Sequence, residues 1–459
     1  MEIKDEIFRA YDIRGVYGRD IDDHDAKIIG LAFATYLGGE GKTIAVGWDV
    51  RKSSKGLATS LIEGIVSTGA NVLNMGLVPT PLVYFAVAHL KLDGGAIVTA
   101  SHNPPEWNGF KLCREKARLC GMGSGLEQVK KIIEEKSWKS ASKGFVKEAG
   151  SEILEEYESY LLEKFKGKIG GIKILIDPGN GSCSKIGSEI LRKFGLTVDS
   201  INDCPDGSFP SRSPEPTEES LVILRRMVKE NSYDFGVGYD GDCDRALFVD
   251  DEGNVIRGDV MLALFIKHLL KNRPGEKIVY EVSCSKLVDE VCRENSIIPI
   301  MSRVGHTFIL EKMLSEKAVF GGEISSHLYF GEIYGLDDAV FATLQVAELL
   351  TLTGRKLSQL VGEFPRYESF RKNYDVPDEI KFKVVSDLTS FFKEAGYKTI
   401  TLDGVRVELE EGWFILRASN TLPQIKLTAE ARSKQALEEI VSYAEKSLRE
   451  MLSKHPGNP

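Results

Sequence analysis

The apolar and polar positions of this chain follow a pattern that occurs three times. In each copy a short apolar run begins after a glycine and ends at an acidic residue, and the three runs span residues 41–49, 171–177 and 275–281. Short apolar runs bounded by turn residues are typical of strands that are buried on both faces of a parallel sheet. The pattern therefore predicts three equivalent buried strands.

Each predicted strand is followed by a turn that contains serine and then by a helix-like segment. Apolar side chains recur there every three or four residues: Leu57, Leu61, Ile62 and Ile65 in the first copy, Ile186, Ile190, Leu191 and Phe194 in the second, and Leu287, Val288 and Val291 in the third. This period of about 3.6 residues predicts amphipathic helices. Alternating strands and helices indicate α/β domains.

A second strand in each copy continues into a polar loop. The three strand-and-loop segments span residues 96–104, 235–242 and 318–325. In open α/β sheets, ligands bind beyond the carboxyl ends of the strands. We therefore expect the three polar loops to face one shared site between the domains.

The last part of the chain has a different pattern. We expect a helix over residues 383–395, strands over 399–409, 413–417 and 424–429, and a final helix over 434–453, which together form an α+β unit. The predicted fold class is α/β, with three related α/β domains that contain mixed, mainly parallel sheets, and a smaller C-terminal α+β domain. The predicted domains are residues 1–148, 149–250, 251–365 and 366–459.

Charge and composition exclude several classes of function. The 59 basic and 68 acidic residues give a net charge of −9, which argues against broad binding to nucleic acids or anionic membranes. No apolar run approaches the ~20 residues of a membrane helix, and the charged N-terminus does not resemble a secretory signal. The seven cysteines form no CxxC pair, so we expect reduced thiols in a cytoplasmic protein.

The strongest chemical signal is an acidic loop in the second copy. Asp240, Asp242 and Asp244 alternate along an extended segment, so their carboxylates point the same way. Converging carboxylates repel one another unless a hard cation binds them, and oxygen ligands select Mg²⁺ or Ca²⁺. An EF-hand is excluded because it requires Gly and Glu where this chain has Arg245 and Asp251. Three protein ligands leave room for a phosphate oxygen, which fits Mg²⁺; the alternative is a solvated acidic turn.

Three further loops carry weaker signals. Ser101 precedes the segment His-Asn-Pro-Pro, a stiff turn that would expose its hydroxyl to a reagent; the alternative is an ordinary turn serine. Glu323 lies close to Ser325 and His327 and offers a carboxylate that can accept two hydrogen bonds from neighbouring sugar hydroxyls. Residues 417–421 combine an arginine, hydroxyls and an amide, which suit a phosphate; the alternative is a capped turn with a surface arginine.

Together, these four segments resemble the α-D-phosphohexomutase family, in particular its phosphomannomutase/phosphoglucomutase branch. They occur in the family's order, one per domain, and the resemblance runs from residues 9–15 to residues 417–421. It implies four domains around a central cleft. It also implies an enzyme that interconverts the 1-phosphate and 6-phosphate of mannose or glucose through a hexose 1,6-bisphosphate, which reorients within the cleft.

The resemblance also assigns roles to matching residues of this chain. Ser101 would be the phosphoserine, and the expected ligands of Mg²⁺ are Ser101, Asp240, Asp242 and Asp244. The expected catalytic residues are Ser101, Lys111, His327 and Arg245, of which Lys111 and His327 are the candidates for proton transfer. Glu323 and Ser325 would bind sugar hydroxyls, and the full set of expected substrate-binding residues is Arg14, His102, His306, Glu323, Ser325, Arg417, Ser419, Asn420 and Thr421.

Three alternatives accompany this hypothesis. One is a phosphoglucosamine mutase, although relatives with that activity more often have Gln where this chain has Ile324. Another is a Mg²⁺-dependent phosphatase, which would not need a separate C-terminal phosphate site. The third is a non-catalytic sugar-phosphate-binding protein, which would have no use for Ser101. In each case we expect a small phosphosugar as the partner, and neither a nucleic acid nor a membrane; the preferred sugar and the oligomeric state are left open.

Overall fold

The structure, a computed structural model, describes residues 3–419 and 422–455. Its strands form four sheets, which follow one another along the chain. Helices pack against each sheet. The first three sheets are mixed, and the fourth is antiparallel.

The first unit has a seven-stranded sheet. Its strands are β1 (Ile13–Val16), β2 (Thr43–Trp48), β3 (Asn71–Leu77), β4 (Gly94–Val98), β5 (Trp107–Arg114), β6 (Arg118–Leu119) and β7 (Val146–Glu148), and its helices are α1 (Asp23–Leu37), α2 (Ser54–Val66), α3 (Thr80–His89) and α4 (Leu126–Glu134). The strand order is β1-β5-β4-β2-β3-β7, with β6 beside β5. β2 is central and runs parallel to both of its neighbours.

The second unit has a five-stranded sheet of order β12-β11-β10-β8-β9. Its elements are α5 (Gly150–Lys164), β8 (Lys173–Asp177), α6 (Ile186–Arg192), β9 (Thr197–Ser200), α7 (Val222–Glu230), β10 (Phe235–Tyr239), β11 (Ala246–Asp250) and β12 (Val255–Ile256). β8 runs parallel to β9 and β10. The predicted domain boundaries stay predictions. The second domain is predicted to end at residue 250, but β12 lies beyond that residue and belongs to this sheet.

The third unit has a five-stranded sheet of order β14-β13-β15-β16-β17. Its elements are α8 (Gly258–Leu269), β13 (Lys277–Glu281), α9 (Lys286–Glu294), β14 (Ile298–Ser302), α10 (His306–Glu316), β15 (Phe320–Gly322), β16 (Leu328–Phe330), β17 (Leu336–Asp337), α11 (Ala339–Thr353) and α12 (Leu357–Val361). The predicted repeat is confirmed: β2, β8 and β13 are the three equivalent strands, and α2, α6 and α9 are the helices that follow them.

The fourth unit is built differently, as predicted. Its elements are β18 (Glu368–Asp375), α13 (Asp378–Glu394), β19 (Lys398–Ile400), β20 (Val405–Glu408), β21 (Gly412–Ala418), β22 (Gln424–Ala431) and α14 (Lys434–Ser453). The single strand predicted over 399–409 is wrong, because Gly404 adopts a φ of +81° in a turn that separates β19 from β20. The helix predicted from residue 383 begins earlier, at Asp378, directly after Pro377.

The packing explains how the loops of different units come together. One apolar cluster extends through the first three units, from Ala45 to Phe364, whereas the fourth unit has its own core around Phe392 and Phe414. A shared core fixes the three sheets relative to one another. The polar loops after β4, β10 and β15 therefore have fixed relative positions.

Candidate active site

The three polar loops meet at the carboxyl ends of their strands, as the repeat predicts. They follow β4, β10 and β15 and carry Ser101, Asp240 and Glu323, all of which are buried. A backbone bridge between Arg245 and His327 joins the second loop to the third. Side chains at the ends of buried strands have rigid supports, which suits a site that must hold its geometry.

The acidic loop brings three carboxylates into one cluster. Asp240, Asp242 and Asp244 are buried, and one oxygen from each lies within 4.8 Å of the others. Asp242 Oδ1 and Asp244 Oδ1 have no hydrogen-bond partner within the described residues. Buried carboxylate oxygens without donors are costly unless a cation binds them. An all-oxygen donor set is the one that Mg²⁺ prefers, so these residues fit a divalent cation.

Lys111 partly neutralises this cluster. Its ammonium group lies 2.7 Å from Asp242 Oδ2 and 2.5 Å from Asp244 Oδ2. Burial alone would lower the pKa of Lys111, but the two carboxylates outweigh burial and raise that pKa. Burial would raise the pKa of Asp244. The interaction with Lys111 outweighs burial, so the pKa of Asp244 is held well below its usual range. Lys111 is therefore a firmly protonated cation beside two ionised carboxylates.

Ser101 lies directly against the acidic cluster. It adopts a left-handed φ of +49°, and its hydroxyl donates a hydrogen bond of 2.8 Å to Asp240 Oδ2. Burial and the charges of Asp244 and Asp242 raise the pKa of Asp240 well above its usual range. The two residues are 139 positions apart in the chain, so this contact depends on the packing of the first unit against the second. A phosphoryl group on Ser101 would lie within reach of a cation held by the aspartates.

Two arginines border the loop that carries Ser101. Arg14 donates to Asn103 Oδ1 at 2.7 Å and to the backbone oxygen of Ala100, so it borders the loop that carries Ser101. Arg245 Nη2 lies 2.9 Å from His102 Nδ1. Burial and Arg245 lower the pKa of His102 well below its usual value, so that ring is neutral.

Both ring nitrogens of His327 have polar partners. Its Nδ1 lies 2.7 Å from Asp337 Oδ2, and its Nε2 accepts a hydrogen bond of 2.8 Å from Arg245 Nε. Burial lowers the pKa of His327, but Asp244 and Asp337 together outweigh burial and the net shift is upward. The ring of His306 stacks on His327 at 6.1 Å between centroids, and burial and Lys111 hold the pKa of His306 well below its usual value.

Glu323 is fixed at the base of the third loop. Its two carboxylate oxygens accept hydrogen bonds from the backbone N–H of Gly305 at 2.9 Å and from the hydroxyl of Tyr329 at 3.0 Å. Ser325 lies at the exposed end of the same loop. Close by, burial and the charge of Glu323 raise the pKa of Glu281 to about 7. The third loop thus presents a fixed carboxylate and an exposed hydroxyl.

The described residues include only part of the phosphate-binding segment predicted in the fourth unit. Arg417 is partly buried, and its Nη1 lies 3.7 Å from Asp403 Oδ2. The buried hydroxyl of Ser419 accepts a hydrogen bond of 3.2 Å from the backbone N–H of Leu422. Asn420 and Thr421 lie outside the described residues. The described part of this segment therefore covers the last two residues of β21 and Ser419, which follows that strand.

Two residues near the site were not among the sequence predictions. Asp337 orients His327 from ten residues away, and Lys426 lies directly across from Arg417 in the antiparallel pair β21–β22. Burial and Arg417 lower the pKa of Lys426 to about 8. Neither residue belongs to a recognisable motif. A lysine within a strand and an aspartate at a strand end give no chemical signal until the fold places them.

Family models match the chain along most of its length. The models for phosphoglucomutase/phosphomannomutase alpha/beta/alpha domains I, II and III match residues 5–139, 154–253 and 257–367, and the model for the C-terminal domain matches residues 372–446. The chain belongs to the phosphoglucomutase/phosphomannomutase family. The resemblance to the α-D-phosphohexomutases is thereby confirmed.

Relatives of this family member are similar over almost their full lengths. A phosphoglucomutase/phosphomannomutase of Thermococcus kodakarensis is 34% identical, with 97% of this chain and 99% of the relative covered. A protein of Methanopyrus kandleri described as a probable phosphoglucosamine mutase is also 34% identical, with 94% and 95% covered. The solved structure of a phosphoglucomutase/phosphomannomutase family protein from Burkholderia thailandensis has a TM-score of 0.89 and 30% identity, with 98% of both chains covered.

These similarities confirm the predicted fold class and the class of enzyme. The chain is an isomerase of the phosphoglucomutase/phosphomannomutase family that acts on a phosphosugar. The acidic cluster is consistent with a divalent metal site. Among the helices of the described residues, none combines the length and the apolar composition that crossing a bilayer requires.

Proposed function

We propose that this enzyme interconverts hexose 1-phosphates and hexose 6-phosphates of mannose and glucose, with Ser101 as the residue that donates and recovers the phosphoryl group. The observation that carries the proposal is the hydrogen bond of 2.8 Å between the Ser101 hydroxyl and Asp240, at the edge of the three-aspartate cluster. Ser101 is buried and adopts a left-handed φ of +49°, and its hydroxyl lies against the acidic cluster.

The proposed reaction consists of two phosphoryl transfers. A free hydroxyl oxygen of the hexose monophosphate attacks phosphorus on phosphorylated Ser101, the bond between Oγ and phosphorus breaks, and a hexose 1,6-bisphosphate forms. After the bisphosphate has turned around, Ser101 Oγ attacks the other phosphate and recovers a phosphoryl group. In the first transfer the sugar hydroxyl loses a proton and Ser101 Oγ gains one; in the second, Ser101 Oγ loses its proton and the released sugar oxygen gains one.

The residues present would bind a divalent cation, which we propose to be Mg²⁺. Asp240, Asp242 and Asp244, together with an oxygen of phosphorylated Ser101, would hold it. Mg²⁺ at this position would neutralise charge on the transferring phosphoryl group. Lys111 adds a fixed positive charge at the same place.

His327 is the proposed base for the sugar hydroxyl. Asp337 holds its Nδ1, which leaves Nε2 to accept a proton. In the structure this nitrogen accepts from Arg245, so the role requires Arg245 to turn toward the substrate phosphate. Lys111 has a raised pKa and keeps its proton, so its proposed role is to stabilise negative charge on the leaving oxygen.

Substrate orientation is proposed to depend on the third and fourth units. Glu323 and Ser325 would bind two adjacent sugar hydroxyls that exchange places when the bisphosphate turns around. Arg417 and Ser419, with Asn420 and Thr421, would hold the phosphate that is not reacting. Arg14 would add positive charge to the lining of the cleft, and the neutral rings of His102 and His306 would add polar contacts. A site that contacts these groups alone accepts glucose and mannose, which differ only at C2.

Phosphoglucosamine mutase is the second candidate, because the Methanopyrus kandleri relative with that name is as similar as the phosphoglucomutase/phosphomannomutase of Thermococcus kodakarensis. A coupled assay with the phosphates of mannose, glucose and glucosamine and a trace of hexose 1,6-bisphosphate separates the two. We expect turnover of the mannose and glucose phosphates to exceed that of the glucosamine phosphate. Preference for the glucosamine phosphate would favour the second candidate.

The Ser101→Ala variant tests the role of the serine in the same assay. We expect turnover to fall to background while binding of the hexose phosphate persists, because the proposed sugar and phosphate contacts of Glu323, Ser325 and Arg417 belong to other units. Release of inorganic phosphate by the wild-type chain, without isomerisation, would instead indicate a phosphatase. Full activity of Ser101→Ala would contradict the proposed function.

A further inference from the structure

A buried arginine lies directly behind the loop that carries Ser101. Arg51 follows β2 and is only 2% exposed. Its Nε is 3.0 Å from Asp49 Oδ2, and Asp49 Oδ1 accepts from the backbone N–H of Arg51 at 2.9 Å. A buried charge requires both a partner and a full set of hydrogen bonds. Asp49 is the acidic residue that ends the first of the repeated apolar runs.

The guanidinium of Arg51 binds the backbone of the Ser101 loop at four points. Nη2 donates to the carbonyl of Ser101 at 2.8 Å and to that of Asn103 at 2.6 Å, and Nη1 donates to Trp107 at 3.0 Å and to Pro104. The planar group thereby fixes both ends of the loop at once.

A second connection reaches the Ser101 backbone from the same aspartate. The hydroxyl of Thr99 donates to Asp49 Oδ2 at 2.7 Å and accepts from the backbone N–H of Ser101 at 2.8 Å. Both the N–H and the carbonyl of Ser101 are thus linked to the Asp49–Arg51 pair. These bonds support the left-handed φ of Ser101, which is unfavourable for a non-glycine residue.

The second unit contains an equivalent pair. Asp177 ends β8, the counterpart of β2, and its Oδ2 lies 3.1 Å from Nε of the buried Arg212. Arg212 Nη2 donates to the carbonyl of Tyr239 at 2.6 Å. Tyr239 directly precedes Asp240. The first pair therefore binds the backbone at Ser101, and the second binds the backbone next to the carboxylate that Ser101 contacts.

The third unit does not repeat this arrangement. Glu281 ends β13 at the corresponding position, but no arginine forms an ion pair with it in the described part of the chain. Its Oε1 instead accepts from the backbone N–H of Ile324 at 3.2 Å. The arginine pairs thus occur in the two units that supply the two partners of the Ser101–Asp240 contact.

We propose that Arg51 and Arg212 are positioning residues that fix Ser101 and Asp240 relative to each other for phosphoryl transfer. This inference rests on the proposed function, because it assumes that Ser101 carries the transferred group. Effective transfer depends on placement of the reacting atoms, and a displacement of about 1 Å costs about 100-fold in rate. Lysine at either position keeps the charge but cannot bind several carbonyls in one plane.

The test is the rate constant of a single turnover. Wild-type, Arg51→Lys and Arg212→Lys chains are phosphorylated with labelled hexose 1,6-bisphosphate, freed of it, and mixed with saturating hexose monophosphate. We expect both variants to transfer label about 100-fold more slowly than the wild type, with the concentration for half-maximal rate changed less than about threefold. A single-turnover rate constant does not depend on the fraction of folded enzyme, so mere destabilisation would leave it unchanged.

Arg406→Lys is the matched control. Arg406 is equally buried and donates to the carbonyls of Val282 and Cys284, at the junction of the third and fourth units and away from Ser101. We expect a lower thermal midpoint and a wild-type transfer rate constant. If Arg51→Lys does not fold, Thr99→Val removes the second connection with little change in shape, and we expect it to slow transfer as well.

The outcomes separate this inference from the proposed function. Absence of label on Ser101 in the wild-type chain would contradict the proposed function itself. The positioning role alone would be overturned if Ser101 is labelled and the label moves to the sugar as fast in the variants as in the wild type. The variants compared are Arg212→Lys and either Arg51→Lys or, if that chain does not fold, Thr99→Val. Slower transfer in the arginine variants, with Arg406→Lys unchanged, supports it.

Discussion

Replacement of Lys111 by methionine should tighten the binding of divalent metal while it slows turnover. Lys111 is the cation closest to two of the three aspartates, at 2.7 Å from Asp242 Oδ2 and 2.5 Å from Asp244 Oδ2. Its ammonium group and a metal ion in the cluster repel each other and compete for the same oxygens. Methionine keeps the length and the apolar stem of the side chain and removes the charge together with its two hydrogen bonds to the aspartates.

The size of the effect follows from the charges and their separation. Two unit charges about 4 Å apart interact by about 4 kcal/mol at an effective dielectric constant of about 20, and a divalent ion doubles this to about 8 kcal/mol. Relaxation of side chains and entry of water remove much of it, so we take about 1.4 kcal/mol as a lower bound. That corresponds to a decrease of at least about tenfold in the Kd for the metal.

Calorimetric titration of the metal-free chain with Mg²⁺ or Mn²⁺ measures this Kd directly. Lys27→Met is a suitable control, since Lys27 forms an exposed ion pair with Glu63 in the same unit. We expect the Kd to be unchanged in Lys27→Met and lowered in Lys111→Met, whose turnover is also reduced. Weaker metal binding in Lys111→Met would refute the reasoning, because it would show that Lys111 supports the metal site rather than competes with it.

Two further predictions concern the cleft between the third and fourth units. Arg417→Ala should raise the Kd for hexose phosphate about 10- to 100-fold, because a charge-assisted hydrogen bond is lost. The Kd for Mg²⁺ should be unchanged. Separate titrations with the two ligands measure both values. The pKa of Glu281 is raised to about 7 in the folded chain, whereas a glutamate in the unfolded chain has a pKa of about 4.3. Between these two values, the folded chain binds a proton that the unfolded chain has lost. Stability therefore falls as the pH rises between these values, and Glu281→Gln should remove this loss of about 1.4 kcal/mol per pH unit. Thermal unfolding at about pH 5 and about pH 8 measures the difference, and parallel pH profiles of the two chains would contradict it.

Local patterns predict much of the fold, because they reflect backbone periodicity and burial. The strands β2, β8 and β13 each match an apolar run, and the carboxyl-end rule places the polar loops at one site. The error over residues 399–409 has a local cause: Asp403 and Gly404 form a turn that separates two antiparallel strands. An Asp-Gly pair between apolar residues is a strong hairpin signal, so this turn could have been predicted from the sequence.

The acidic cluster could be predicted because its three members are close in sequence. The alternation of Asp240, Asp242 and Asp244 identified the cluster, but the predicted extended segment is wrong: a turn in which Cys243 adopts a left-handed φ of +65° brings the carboxylates together. The contact between Ser101 and Asp240 spans 139 residues. No local pattern encodes that distance, and the sequence indicated it only through the family resemblance.

The supporting residues could not be predicted from local patterns. Arg51 lies two residues from Asp49, but Arg212 lies 35 residues after Asp177, so no common spacing joins the two pairs. Asp337 and Lys426 likewise acquire a role only because of what packs opposite them. These residues act through tertiary contacts, and sequence periodicity carries no information about those contacts.

The central claim is that Ser101 itself carries the phosphoryl group during turnover. The most direct measurement is mass spectrometry of the peptide that contains Ser101, taken after brief incubation with labelled hexose 1,6-bisphosphate and again after a chase with unlabelled hexose monophosphate. We predict that Ser101 gains the label and loses it to the sugar at a rate at least equal to kcat. A Ser101 that stays unlabelled while the enzyme turns over, or a label that the sugar never receives, would contradict the account.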